Sequence, residues 1–330
     1  MNSDYIPRLR SELLRAGATE QARWRPARTA RVLRPLAAAA AVVLVAVAVV
    51  LAVPDRFGEE TAVERPTGTI ELSYRVEPAA AQQAAQVMRE RLSAAGIPGA
   101  GVSVSSGGLT IRAPAGAGED VSALTKRGRL AIYDWERSVL GPRGVSAPAD
   151  TSVTGGPDAG GPAAAISEVE AEARASGRPG GQVVHARSGA PEGWFALGGD
   201  PALTNADIAR AESTTEANTQ DPIVELTFTA RGQTAFAALT RELAHRGNET
   251  AADGVSPVDA LQHLAIVLDD RIVSVPFIDF RQAPDGIDGA AAMQISGDLT
   301  PETARRVAAL LNAGPLPADL VPDEANAGGG

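Results

Sequence analysis

The chain has 330 residues and a formal net charge of −10, with 34 Gly, 23 Pro, three Trp, three Tyr, six Phe and no Cys. Without cysteine there is no disulfide framework, no thiolate metal site and no cysteine nucleophile. Three histidines (His185, His245 and His263) leave little for a histidine metal cluster, and the acidic balance argues against nucleic acid as a partner.

The charge is unevenly distributed. Residues 1–34 hold eight arginines against three acids, a net of +5, whereas the rest of the chain carries a net of −15. Between them Leu36–Val53 is an uncharged run of 18 Ala, Val and Leu residues. As a helix it would be about 27 Å long, close to the hydrocarbon core of a bilayer. Arginines crowd its N-terminal side, while Asp55, Glu59, Glu60 and Glu64 follow it. The positive-inside rule then predicts a cytoplasmic basic arm (1–34), a transmembrane signal anchor (35–54) and a linker (55–68) leading to an extracytoplasmic body. Membrane lipid is the first partner implied. A cleaved signal peptide is the alternative, but the leader is long and Pro54 directly follows Ala52-Val53. Within the arm, Ile6, Leu9, Leu13 and Leu14 give Tyr5–Leu14 one apolar helical face.

The first external block, 69–136, opens on a strand in which Ile70, Leu72, Tyr74 and Val76 alternate with polar residues. Pro78 leads into a helix to about Ala95, ended by Gly96. A hairpin across Gly107-Gly108, a short helix at Asp120–Arg127 and a strand at Leu130–Trp135 complete it. Residues 137–182 form a Gly/Pro-rich insertion whose helix candidate is Ala163–Ala175. The block 183–320 begins with Trp194-Phe195-Ala196-Leu197 and a helical turn at Asn205–Glu212. It continues with a strand at Ile223–Thr229, a helix at Ala230–Arg246 and a polar insert at Gly247–Val258. Leu264–Leu268 and Arg271–Val275 then read as a hairpin around Asp269-Asp270. Met293–Ser296 is a strand, and Thr300 with Pro301 opens a last helix that Gly314-Pro315 ends. Residues 321–330 read as a disordered tail. The fold class is α+β.

Leu261–Ile278 (LQHLAIVLDDRIVSVPFI) and Met293–Leu320 (MQISGDLTPETARRVAALLNAGPLPADL) together resemble SecD, a membrane subunit of protein export. The shared pattern is Leu268-Asp269, Ser274–Pro276, Gln294–Gly297 and Leu311–Pro317. Upstream, Trp194–Ala211 and Pro222–Thr240 are similar to the family, and Thr69–Glu136 more loosely so, through Met88–Gly96 and Leu109–Pro114. The resemblance implies a ferredoxin-like base carrying an inserted α+β head subdomain, preceded by one transmembrane helix. It also implies Sec translocon components or secretory polypeptides as partners, the head holding emerging preprotein outside the membrane. The sequence ends ten residues after Leu320, before the family's later membrane helices with their proton-linked residues. An export motor complete in itself is therefore not expected.

No Gly-x-Ser-x-Gly elbow, phosphate loop or His-Glu-x-x-His motif occurs. His245 reads as the C-terminal residue of its helix, Asp269-Asp270 as a hairpin tip, and Glu168, Glu170 and Glu172 as a solvated face. Neither an enzyme nor a cofactor or metal site is expected. A polypeptide-binding surface needs exposed apolar side chains, and Trp194, Phe195, Leu197, Phe277 and Phe280 are the candidates, with core packing as the competing role. Two other functions stand beside polypeptide binding: a single-pass envelope sensor whose arm contacts a regulator, and, more remotely, a hydrolase.

Overall fold

The alternating residues after Gly68 form strand β1 (Thr69–Arg75), the start of an antiparallel four-stranded sheet. In this computed structural model the described residues are 68–105, 108–146, 165–185, 193–217, 219–296 and 299–323. The basic arm with Tyr5–Leu14, the anchor at Leu36–Val53 and nearly all of the linker lie outside them, as do Gly107 and Gly297. No helix among the described residues is long and apolar enough to cross a membrane.

Helix α1 (Ala81–Ala94) lays Ala84, Ala85, Met88 and Leu92 against that sheet, all buried. Strands β2 (Gly101–Ser105) and β3 (Gly108–Pro114) follow as the hairpin, and β3 pairs with β1. The far edge is closed by β14 (Val321–Pro322), which pairs with Tyr74 and Arg75. The start of the expected tail is therefore ordered: an edge strand gains backbone partners from β1 that a solvated tail lacks.

Strand β4 (Leu130–Asp134) does not extend this sheet, although the sequence groups it with 69–136. It pairs with β10 (Gln262–Leu268) on one side and β7 (Leu203–Thr204) on the other. Leu130 and Ile132 enter one core, while Tyr133 enters another on the opposite face. A strand apolar on both faces belongs inside a covered sheet. That sheet runs β6 (Trp194–Leu197), β5 (Gln182–His185), β11 (Arg271–Ser274), β10, β4, β7, with β12 (Phe277–Ile278) beside the start of β10. Its β5–β11 pair is parallel.

A third sheet is ordered β13 (Met293–Ile295), β9 (Pro222–Phe228), β8 (Ile208–Thr215). The expected helical turn at 205–212 is a short 3-10 turn over Asn205–Asp207 that passes straight into β8. Asp207 folds back to accept from the Thr204 N–H at 2.9 Å, which closes the turn after three residues. Helix α5 (Ala230–Ala252) runs past the expected end at Arg246 and absorbs the first part of the polar insert, which places His245 inside it. Gly247 is no stop signal here: a Cβ at that position would lie 2.8 Å from Phe280 Cδ1. The helix needs a glycine there to let the phenylalanine approach.

Small helices fill the remaining surfaces: α2 (Gly118–Leu124), α3 (Trp135–Ser138) and α4 (Glu168–Ala175). The last begins later than Ala163, because Ser167 caps it by accepting from the Glu170 N–H. Helix α6 (Pro301–Ala313), capped by Thr300 as expected, serves two cores. Ala304, Val307, Ala308 and Leu311 pack with β9, β10 and α5, whereas Ala309 and Leu310 pack with α1 and β3.

The two halves meet at Arg91. This α1 side chain is 0% exposed. It donates to four backbone carbonyls, those of Leu124 (2.6 Å), Lys126 (2.5 Å), Arg127 (2.7 Å) and Gly314 (2.7 Å). These carbonyls lie at and beyond the C-termini of α2 and α6, where helices leave acceptors unpaired and a cation is favoured. Burial lowers the guanidinium to about 10, and Asp269 works the other way, so it remains charged at neutral pH. Gly128 must lack a side chain for this contact: its φ is +72°, and a Cβ would stand 2.7 Å from Arg91 Nη2. The same turn is gripped from the other side. Asp269 accepts from the Arg129 N–H at 2.9 Å, and Asn205 accepts from Leu130 N–H while donating to Gly128 O.

Candidate functional site

Two carboxylates, a guanidinium and an imidazole converge where β4 runs into α3. Asp134 ends β4, Glu136 lies in α3, Arg246 projects from α5 and His263 lies on β10. Arg246 makes a two-pronged contact with Asp134 at 2.9 and 2.8 Å and donates to Gln262 Oε1 at 2.5 Å. Glu136 accepts from the His263 backbone N–H at 3.0 Å and meets His263 Nδ1 at 2.7 Å. It also lies 3.7 Å from Arg246. Asp134 and Glu136 keep only 13% and 7% of their side-chain surface in water. Each carboxylate therefore has a cation or N–H donors, the condition for keeping charge out of water.

Above this network an open hollow of about 390 Å³ is lined by Arg137, Arg241, Glu242, His245, Arg246 and Glu249. Arg137 and Glu242 form an ion pair across it. On the neighbouring side Phe277 lies opposite His263 in the β10–β12 pair, the two rings edge-on with centroids 6.4 Å apart. No group of three or more His, Asp or Glu side chains among the described residues is arranged to hold a metal ion. The network fixes positions and leaves an open polar hollow on one side and the Phe277 ring on the other.

The expected binding residues divide sharply. Phe277 is 40% exposed and borders the network. Trp194 is half-buried, its ring edge-on to His185 at 4.6 Å. Phe195, Leu197 and Phe280 are buried and cannot form an accessible surface, a correction to the sequence expectation. Phe195 packs edge-on against Trp135, and Leu197 lies in the same core. Alternation explains the split, since successive strand residues point to opposite faces. The outer edge of β6 is also occupied: Trp194 exchanges backbone hydrogen bonds with Ile166, and Leu140 N–H donates to Ala196 O. His263, at the start of β10, is a hydrogen-bond partner of Glu136.

Asp279 shapes the loop that separates Phe277 from Phe280. It accepts from the Arg281 backbone N–H and from the side chains of Arg281 and Gln282. The Arg281 guanidinium is the main cause that holds this carboxyl down at about 2, from 3.8. A depressed carboxylate contributes stability above its unfolded pKa and loses it as pH falls through the folded one. Stability should thus decline as pH drops from about 4 to about 2, and Asp279→Asn should flatten that part of the curve. Thermal melts across this range check it; parallel curves for the two proteins would count against the clasp.

Asp134, Glu136 and Arg246 were not legible as a set. The available signals were a carboxylate ending the apolar run Leu130–Tyr133 and a second one beside Trp135.

The comparisons with known proteins agree on one family. The description "SecDF, P1 head subdomain" matches residues 182–318. A protein translocase subunit SecD from Elusimicrobium minutum (strain Pei191) is 34% identical over 118 residues, which are 36% of this chain and 20% of that protein. Residues 182–318 are similar to the SecDF P1 head subdomain. The chain thus matches about a fifth of the length of that full SecD subunit. Among solved structures, SecDF in a super-membrane-facing form covers 78% of this chain at 20% identity, with a TM-score of 0.48 and 29% of its own chain covered. A structure described as a membrane component SecDF that enhances protein export gives 0.45 at the same identity, covering 78% of this chain and 98% of its own. Arg246, His263 and Phe277 fall inside the matched residues, while Asp134 and Glu136 lie upstream of them. The network therefore ties the matched residues to the β4–α3 segment that precedes them.

Proposed function

We propose that this SecD-like domain serves protein translocation outside the membrane as a non-enzymatic binder of exported polypeptides. The observation that carries this reading is the match of residues 182–318 to the SecDF head. The anchor at 35–54 would hold the domain at the membrane, with lipid and Sec translocon components as neighbours and the arm 1–34 in the cytoplasm. The antiparallel order β14-β1-β3-β2, with α1 and α6 sharing its core, supports a ferredoxin-like base into which the head is inserted between β3 and α6. Phe277 is the apolar contact best disposed for a client, since it is exposed and backed by the fixed His263–Glu136 pair.

The test is a photoreactive amino acid at Phe277 of the full chain in membrane vesicles, followed during export of a secretory protein. Capture of that protein is the expected result, and capture of none of it would sink the proposal. In equilibrium binding, Phe277→Ser should weaken an unfolded secretory polypeptide by about tenfold, the scale of one aromatic contact. Its melting temperature should be unchanged, because the ring is largely outside the core.

A further inference from the structure

The outer edge of β8 is open, and it carries the geometry of a strand-docking site. On its inner side β8 pairs with β9 along its length, with Glu212 opposite Glu225 and Thr214 opposite Ile223. At Ala211 the backbone faces outward: its N–H donates to Asn312 Oδ1 at 2.8 Å, and its carbonyl accepts from Asn312 Nδ2 at 2.7 Å. A side-chain amide from α6 thus occupies the place of a peptide group on a neighbouring strand. Antiparallel pairing alternates, so the N–H and C=O groups of Ser213 and Thr215 face outward as Ala211 does. The Glu216 N–H, one residue beyond, turns inward to Asp221 O, as that alternation requires. Among the described residues nothing pairs with the outward groups of Ser213 and Thr215. An edge of this kind accepts an extended segment through main-chain hydrogen bonds.

The charges beside it select the occupant. Glu212 and Glu225 lie directly opposite on one face of the sheet, a repulsive arrangement that Arg210, paired to Glu212 at 2.9 Å, partly offsets. Glu216 and Asp221 add two more acids at the hairpin end. A second copy of this chain pairing through β8 would bring like charges together.

We infer that β8 takes up an extended polypeptide segment with alternating basic residues, which continues the sheet past Ser213 and Thr215. Its basic side chains lie over Glu212 and its intervening residues turn to the other face. The inference rests on the reading of the domain as a polypeptide binder and names where and how the polypeptide is held.

The experiment uses the full chain in detergent with short peptides of alternating lysine and valine, or of glutamate and valine. The lysine peptide should bind and slow hydrogen exchange at the Ser213 and Thr215 amides; the glutamate peptide should do neither. N-methylation of alternate peptide residues should abolish binding, because it removes the donors while keeping charge and apolar surface. Ser213→Pro should weaken the lysine peptide by at least about tenfold at unchanged melting temperature, since the proline removes only an outward donor. Glu212→Lys should shift preference toward the glutamate peptide. Binding with no protection at Ser213 and Thr215, and no effect of N-methylation, overturns the edge site while leaving polypeptide binding elsewhere intact. Protection that grows with protein concentration in the absence of peptide overturns it in favour of a second copy. Failure of these peptides and of an unfolded secretory polypeptide to bind at all overturns both the edge site and the polypeptide-binding role.

Discussion

Arg91→Met should destabilise the fold by about 3–5 kcal/mol, a large part of the stability of a typical domain. The side chain is wholly buried, and its four acceptors are backbone carbonyls from two distant places in the chain, 124–127 and 314. Burying the guanidinium costs several kcal/mol, but charge-assisted bonds contribute about 1.5–3 kcal/mol each. Methionine fills similar volume and offers no donor, so carbonyls of Leu124, Lys126, Arg127 and Gly314 would lie dry or force the turn apart. Arg91→Lys should recover little, because one ammonium cannot fork toward carbonyls on both sides. Urea denaturation with an unchanged slope measures the loss directly. A shift below about 1 kcal/mol would mean that water reaches these carbonyls and that Arg91 does not hold the joint.

The second large effect concerns Arg246. Arg246→Met leaves Asp134 without its two-pronged partner and Glu136 with His263 alone, and should cost about 2–4 kcal/mol. The lower end applies if water enters through the hollow above α5, where Arg246 keeps 22% of its side-chain surface. Adding Asp134→Asn should recover about 1–2 kcal/mol, because the amide removes a charge left with Arg137 at 3.9 Å and can still accept from the Arg137 N–H. The same double-mutant cycle distinguishes a coupled network from two independent losses. Strict additivity would show that Asp134 and Arg246 act separately.

Local pattern carried much of the architecture. β1, α1, the β2–β3 hairpin, β9, the β10–β11 hairpin and the capped helix α6 all answer to alternation, helical spacing or cap residues within their own segments. The failures share one cause. Gly247 reads locally as a helix stop, yet α5 continues because Phe280, 33 positions later, occupies the space a side chain would fill. Asn205–Glu212 reads as a helical turn, yet Asp207 closes it early and Ala211 is buried against the core beneath β8. β4 follows β1, β2 and β3 in sequence but pairs with β10 and β7, because its two apolar faces need cover on both sides.

The same division holds for the candidate site. The Phe-Ile-Asp-Phe run after a hairpin was legible as a candidate apolar surface, with core packing as the competing role for Phe277 and Phe280. Which of Trp194, Phe195, Leu197, Phe277 and Phe280 those are depends on strand phase and on what packs behind. Charge asymmetry and residue composition were likewise fixed by the sequence: a chain without cysteine and with three histidines had few routes to metal or thiol chemistry. Only the tertiary structure decided that Asp134, Glu136, Arg246 and His263, drawn from four elements, share one patch. It also decided that the Asp269 of the hairpin tip grips the turn which Arg91 holds from beneath, and that the edge of β8 beyond Ala211, unpaired among the described residues, lies beside four acids. The physical reason is that periodicity reports the side of an element that avoids water, whereas a buried charge or an open edge is defined by partners distant in the chain.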